Sequence, residues 1–170
     1  PIDTTWMENP DTTVTEVGTF GMEKLYSAAL NAEQMTISSV IHFPIYKFDT
    51  LEELTQFKDS LEHPERLSTS LYKYDGIPSF NEATAKYDET FFSGNALLLV
   101  YVGAHTGTYR FAVDPITGAG TSLCVQIAET THAELVTCDT SGWFITVAVP
   151  DSAAASYTEF DAVLAEGSDC

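Results

Sequence analysis

The chain has 170 residues, 44% of them hydrophobic, and a formal net charge of −18 from 25 Asp and Glu against 7 Lys and Arg. That length suits one domain with a sizeable core. So few basic residues cannot supply the phosphate-neutralising footprint of a nucleic-acid binder, and they disfavour anionic membrane surfaces.

Residues 1–13, rich in Thr, Asp and Pro, read as a lead-in. Residues 14–27 carry Val14, Val17, Phe20, Met22, Leu25 and Tyr26, which fit one or two strands broken near Gly18 and Gly21. From 35 to 48 the alternation is cleaner. Met35, Ile37, Ser39, Ile41 and Phe43 share a face, Pro44 interrupts it, and Ile45 to Phe48 resume it. A proline at that point marks an edge strand or a bulge.

A helix start follows. Asp49-Thr50-Leu51-Glu52-Glu53 is a capping box in which Thr50 caps the free amides and Glu53 reaches back to the Thr50 N–H. Leu51, Leu54, Phe57 and Leu61 recur at helical spacing, and Pro64 closes the helix. A second cap, Ser79 with Glu82, opens a helix whose apolar positions are Phe80, Ala83, Tyr87 and Phe91 and whose stop is Gly94.

Residues 95–150 then read as four strands in a row, over 97–102, 108–113, 123–127 and 143–149. The first is apolar at every position, which predicts a central strand covered on both faces. The others alternate, with Tyr109, Phe111 and Val113, then Leu123, Val125 and Ile127, then Trp143, Ile145, Val147 and Val149 pointing one way. Turn chemistry joins them: His105-Thr106-Gly107, then Asp114-Pro115 through Gly120. The third connection, 130–142, is the longest, acidic and Thr-rich, which marks it as a candidate functional loop. In the tail, Tyr157, Phe160, Val163 and Leu164 fit a last strand or short helix.

The pattern predicts an α+β domain: an antiparallel sheet, as a small sandwich or open barrel, with two helices packed on it. Residues 1–44 form an N-terminal extension that adds edge strands to the same domain as 45–170. No apolar run approaches the roughly eighteen residues of a membrane-spanning helix. The chain opens Pro1-Ile2-Asp3 rather than on Met, and the expectation is a chain trimmed of a targeting segment.

Catalytic chemistry finds little purchase. His42, His63, His105 and His132 fall at no metal-ligand spacing, and no Gly-x-Ser-x-Gly elbow or phosphate loop is present. Cys138 is followed by Asp139, the wrong sign to activate a thiolate. With this many acids, paired carboxylates carry no signal for glycosidase work. No Asp-x-Asp-x-Asp-Gly calcium loop occurs. Cys124 sits in a strand pattern and reads as a small buried apolar residue. A bridge between Cys138 and Cys170 stays open. No catalytic residue, cofactor or metal is expected, and the chain reads as a non-enzyme. Its candidate interaction residues are His105, Thr106, Gly107 and Thr108 in one connection and His132, Glu134 and Asp139 in the longest.

The order of elements from Ile45 onward carries a resemblance. A short strand leads to the Leu51-Glu52-Glu53-Leu54 helix, then Tyr87-Asp88-Glu89-Thr90-Phe91-Phe92 runs into the first long strand. Thr106-Gly107-Thr108-Tyr109-Arg110-Phe111 follows, and Thr137-Cys138-Asp139 precedes Gly142-Trp143-Phe144. Residues 45–150 are similar to uncharacterised exported lipoproteins of Gram-positive gut bacteria. More distantly they resemble the C-terminal module of PrcB, an accessory subunit of a bacterial surface protease complex. That module has Gly-Gly-Tyr where this chain has Gly107-Thr108-Tyr109. The resemblance implies an exported, cell-surface protein with a lipid anchor on its precursor and another envelope protein as partner. It carries over no catalytic residue. A regulator of a surface protease, and a hydrolase built on paired carboxylates, are the competing expectations.

Overall fold

The computed structural model describes residues 4–17, 41–69, 76–104, 110–130 and 141–165. Two sheets form. The first has β1 (Thr12–Glu16), β6 (Ser141–Pro150), β3 (Asn95–Ala104) and β2 (Ile45–Phe48) in that order, every pair antiparallel. The second has β4 (Phe111–Ala119), β5 (Ser122–Glu129) and β7 (Glu159–Leu164).

Three layers result, with the first sheet in the middle. Leu98, Val100 and Val102 of β3 and Trp143, Ile145, Val147 and Val149 of β6 point toward the second sheet. There they meet Leu123, Val125 and Ile127 of β5 and Ala162 of β7. Leu97, Leu99, Tyr101 and Phe144 point the other way, onto helices. Leu54 comes from α1 (Leu51–Ser60), Leu67 from a 3-10 turn at Pro64–Ser68, and Phe80 from α2 (Phe80–Thr84). Phe144 centres this interface, its ring 4.7 Å from Phe80, 5.6 Å from Tyr101 and 5.9 Å from Phe57. The all-apolar run at 97–102 is therefore a central strand buried on both faces, as its pattern predicts. β6 is too: Phe144 and Thr146, between its alternating core residues, are buried on the helix side.

The α+β architecture with helices packed on the sheet stands, and four details of the sequence reading change. First, the four consecutive strands divide between the sheets. β3 pairs with β6, and the β4–β5 hairpin crosses to the second sheet, so each sheet buries its apolar positions against the other. Second, β5 and β7 run parallel, because the chain between them crosses through β6 and a turn of helix, α4 (Asp151–Ala154).

Third, the helix predicted from Ser79 to Gly94 breaks in two. Asp88 adopts an extended backbone and its Oδ1 accepts from the Phe91 N–H at 2.9 Å, so a new helix, α3 (Glu89–Phe92), starts there. The break lets Tyr87 turn inward, where its hydroxyl lies 2.8 Å from Thr146 Oγ1 with both residues buried. Fourth, Thr50 Oγ1 accepts from the Glu53 N–H at 3.1 Å as expected, but Glu53 Oε2 accepts from the Asp49 N–H at 2.7 Å rather than from that of Thr50.

Both sides of the sandwich are finished by short segments. On one side the chain changes sheets at Pro44. Before it, the Phe43 N–H donates to Ala162 O (2.8 Å) and Ile41 O accepts from the Leu164 N–H (3.0 Å), both on β7. Pro44 O then accepts from the Tyr101 N–H (3.0 Å) of β3 and β2 begins. A proline, with no N–H to satisfy, suits that corner. On the other side a 3-10 turn, Thr5–Met7, lies beside β4 and drops Met7 into the core. On β4 itself, exposed Asp114 and Pro115 form a bulge between Val113 and Ile116, which disqualifies that edge for regular pairing. The alternating strand predicted from Met35 falls largely outside the described residues. His42 makes one isolated bridge to Val163.

Two substitutions test this packing. Tyr87→Phe leaves Thr146 Oγ1 without its buried partner and should lower stability by about 1–2 kcal/mol, read from the denaturant midpoint. Gly118→Ala would set a methyl on the Tyr157 hydroxyl and 2.9 Å from its Cζ, costing about 1–3 kcal/mol by overpacking. Gly94→Ala, whose methyl meets nothing within 4 Å, is the control and should change stability by less than about 0.5 kcal/mol.

Candidate functional site

The two ends of the sandwich differ. At one, the connections are short. Gly120, at φ +61, turns β4 into β5. Thr121 O accepts from the N–H groups of Thr158 and Glu159 at 2.8 and 3.1 Å. The Asp151 N–H, opening α4, donates to Gly94 O at 3.1 Å.

At the other end several strand ends lie side by side. β3 ends and β6 begins in register there, Gly103 opposite Gly142 and Ala104 opposite Ser141. The Val17 N–H, just past β1, donates to Gly142 O at 2.8 Å. Arg110 and Thr130 flank β4 and β5 and are tied by a Thr130 N–H to Arg110 O bond of 2.9 Å. Ile41 and Ala165 stand there too, on either side of the strand pairing to β7. The boundaries of 18–40, 105–109, 131–140 and 166–170 thus gather at one end. His105, Thr106, Gly107, Thr108, His132, Glu134 and Asp139 all lie outside the described residues. What the structure places is their anchors, and it places those together.

The described floor of that end has its own chemistry. Trp143 is completely buried, and the Arg110 guanidinium stacks on its indole at 5.2 Å. Opposite Trp143 on β1 is Glu16, 2% exposed and the one buried carboxylate among the described residues. Sequence reasoning passed it by. The available signal was an acid inside a strand pattern, between Thr15 and Val17.

Elsewhere the polar groups are occupied with structure. An open depression of about 340 Å³ at the start of α1 is lined by Asp49, Thr50, Glu52, Glu89, Phe92 and Ser93. Asp49 pairs there with Lys47 at 2.9 Å. Among the described residues no cluster of three His, Cys, Asp or Glu could hold a metal ion. His42 pairs with Asp161 and His63 with Glu65, each at 3.0 Å and substantially exposed. Its own backbone N–H, and then the His63 hydrogen bond, hold the Glu65 carboxyl below its usual range. Lys58 runs along the Phe80 ring to reach Thr84 Oγ1 at 2.7 Å, and burial lowers its pKa. Ser79 caps α2, and Ser122 donates to Glu159 at 2.8 Å.

Cys124 requires a correction. The strand pattern suggested a packed thiol, but Cys124 is disulfide-bonded. The chain's other cysteines, Cys138 and Cys170, both lie outside the described residues, and one of them is its partner. Position along a strand gives burial, and Cys124 is 3% exposed. It does not reveal which distant sulfur arrives on the same face.

No protein-family model, no curated protein and no solved structure matches this chain.

Thiol titration of the unreduced, unfolded chain should count one free cysteine, against three after reduction. Reduction, or Cys124→Ser, should cost about 2–4 kcal/mol of stability. Three free thiols without reductant would contradict the bridge.

Proposed function

We propose that this is a non-catalytic extracytoplasmic binding or accessory module that meets another envelope protein with the end of its sandwich where Arg110, Thr130, Gly142 and Val17 converge. The observation that carries this is the gathering of strand ends at Val17, Gly142, Arg110 and Thr130 on one rim. Strand ends from which several connections leave on one rim are a common way of building a binding surface. The rest of the framework is spent on packing: both faces of the central sheet are covered, and β4 is blunted by its Asp114-Pro115 bulge.

Two further points support location and partner. A disulfide belongs to an oxidising compartment, which agrees with an exported chain tethered at the cell surface through a lipid anchor on its precursor. A charge of −18 keeps such a module soluble and favours a partner with a basic face. The connection at 105–109, where the sequence resembles the PrcB module, makes a surface protease complex the first partner to try.

The test is a capture from envelope extract with wild type and with 105–109 replaced by Gly and Ser of equal length. A second variant carries His132→Ala and Glu134→Ala. Wild type should enrich a partner reproducibly. Both variants should lose at least about tenfold of it, the ~1.4 kcal/mol equivalent of a lost interface contact, with unchanged melting temperature. Capture that survives both variants would rule out this end, and a change in a captured protease's activity would specify the regulatory role.

A further inference from the structure

Cys124 is disulfide-bonded, and its place on β5 decides which sulfur reaches it. Its neighbours Leu123, Val125 and Ile127 point into the core, so Cys124 points to the opposite, outer face of the second sheet. Asp161 stands beside it on β7, and the Asp161 carboxylate takes the His42 ring at 3.0 Å. Val163 points outward from the same strand, since Ala162 belongs to the core. Val163 and Cys124 are nevertheless 0% and 3% exposed, so chain lies over this part of the outer face.

Chain length limits the two candidate sulfurs differently. Cys138 stands three residues before Ser141, which spans at most about 11 Å, and a bridge adds at most about 7 Å between Cα atoms. To pair with Cys138, Cys124 would have to lie within about 18 Å of Ser141. The fold sets them further apart. The Trp143 ring meets that of Phe111 at 6.3 Å, and Phe111 is opposite Glu129, so Trp143 stands near the rim end of β5. From Cys124 to Glu129 is roughly 16 Å of strand, Ser141 is roughly 7 Å further out, and the sheets are roughly 10 Å apart, which puts Ser141 about 25 Å away. Ser141 also lies on the core side, with the second sheet between it and the Cys124 sulfur. Cys170 follows Ala165, whose N–H donates to Ile127 O at 2.8 Å. Leu164 is opposite Ile127 and Asp161 opposite Cys124. Ala165 is therefore about 14 Å from Cys124, and the chain from Ala165 to Cys170 spans up to about 18 Å.

We infer that Cys124 is bonded to Cys170, which leaves Cys138 as the free thiol. Closing the bond takes two electrons and two protons from the pair of thiols, and the disulfide that accepts them by exchange is reduced to two thiols in turn. The chain after Ala165 then turns back along the outer face and staples β7 to β5, the parallel pair that the chain through β6 and α4 separates. The 131–140 connection, part of the proposed binding end, stays outside the bridge.

The experiment is a disulfide map of the full chain. Free thiols are blocked with N-ethylmaleimide as the protein unfolds. No Lys or Arg follows Arg110, so a Glu-specific protease is used, and cuts after Glu89, Glu129, Glu134, Glu159 and Glu166 put each cysteine on its own fragment. The expected result is fragment 90–129 linked to 167–170, with the blocking group on 135–159. Any other linkage, or three blocked thiols, overturns the inference. Two variants read the same bond through intact mass. Reduction should add two hydrogen atoms to Cys138→Ser and none to Cys170→Ser. No bridge in the first, or a bridge in the second, overturns the pairing too.

Discussion

Strands β3 and β6 pair over ten residues each, and through the middle of that ladder, from Leu97 to Val102 and from Trp143 to Val147, both faces are buried. Apolar side chains on both faces of one sheet demand two separate covers, and that demand organises the remaining chain. The helices supply one cover. The β4–β5 hairpin, joined by β7, supplies the other. The connection leaving β3 therefore cannot lead straight back into the same sheet. It must carry the chain to the second layer and, after β5, return it for β6.

Covering the ladder creates a second problem at its sides. Two sheets stacked face to face leave two open seams, each flanked by edge strands. The Pro44 corner solves one by contributing backbone to β7 and then to β3 within a few residues. At the other, Trp6 and Met7 pack into the core beside β4. Hydrogen-bonded stitching is directional, whereas apolar packing is not, so the two seams are filled by different means.

The elements most legible in the sequence were those dictated by local rules. The continuous apolar run of β3 announced burial on both sides, and Thr50 and Ser79 announced helix starts, whereas Asp114-Pro115, read as the turn out of the strand, proved to be a bulge within β4, which runs on to Ala119. What stayed hidden depended on partners distant in the chain. Phe91 follows Tyr87 at helical spacing, and only the presence of Thr146 inside the interface explains why the helix yields at Asp88 to let Tyr87 in. Phe144 and Thr146 alternate correctly for a half-exposed strand, and only the second cover buries them. Cys124 has the neighbours of a packed thiol, and nothing in those neighbours reveals that it is disulfide-bonded. For the candidate site, spacing placed the seven residues in two connections. It could not say that their anchors stand on one rim, or that Glu16 lies beneath it.

That rim rests on the least yielding part of the molecule. Trp143 continues the β3–β6 ladder and stands directly below it, held by Gly103, Gly142 and the Val17 bond on one side and by the Arg110 guanidinium on the other. The residues from which the connections leave are fixed by strand pairing, the kind of contact that opens last. A carboxyl group buried there, that of Glu16, is costly to place and costly to disturb. Its position beside Trp143 makes the floor of this end a fixed platform on which the proposed binding surface would stand.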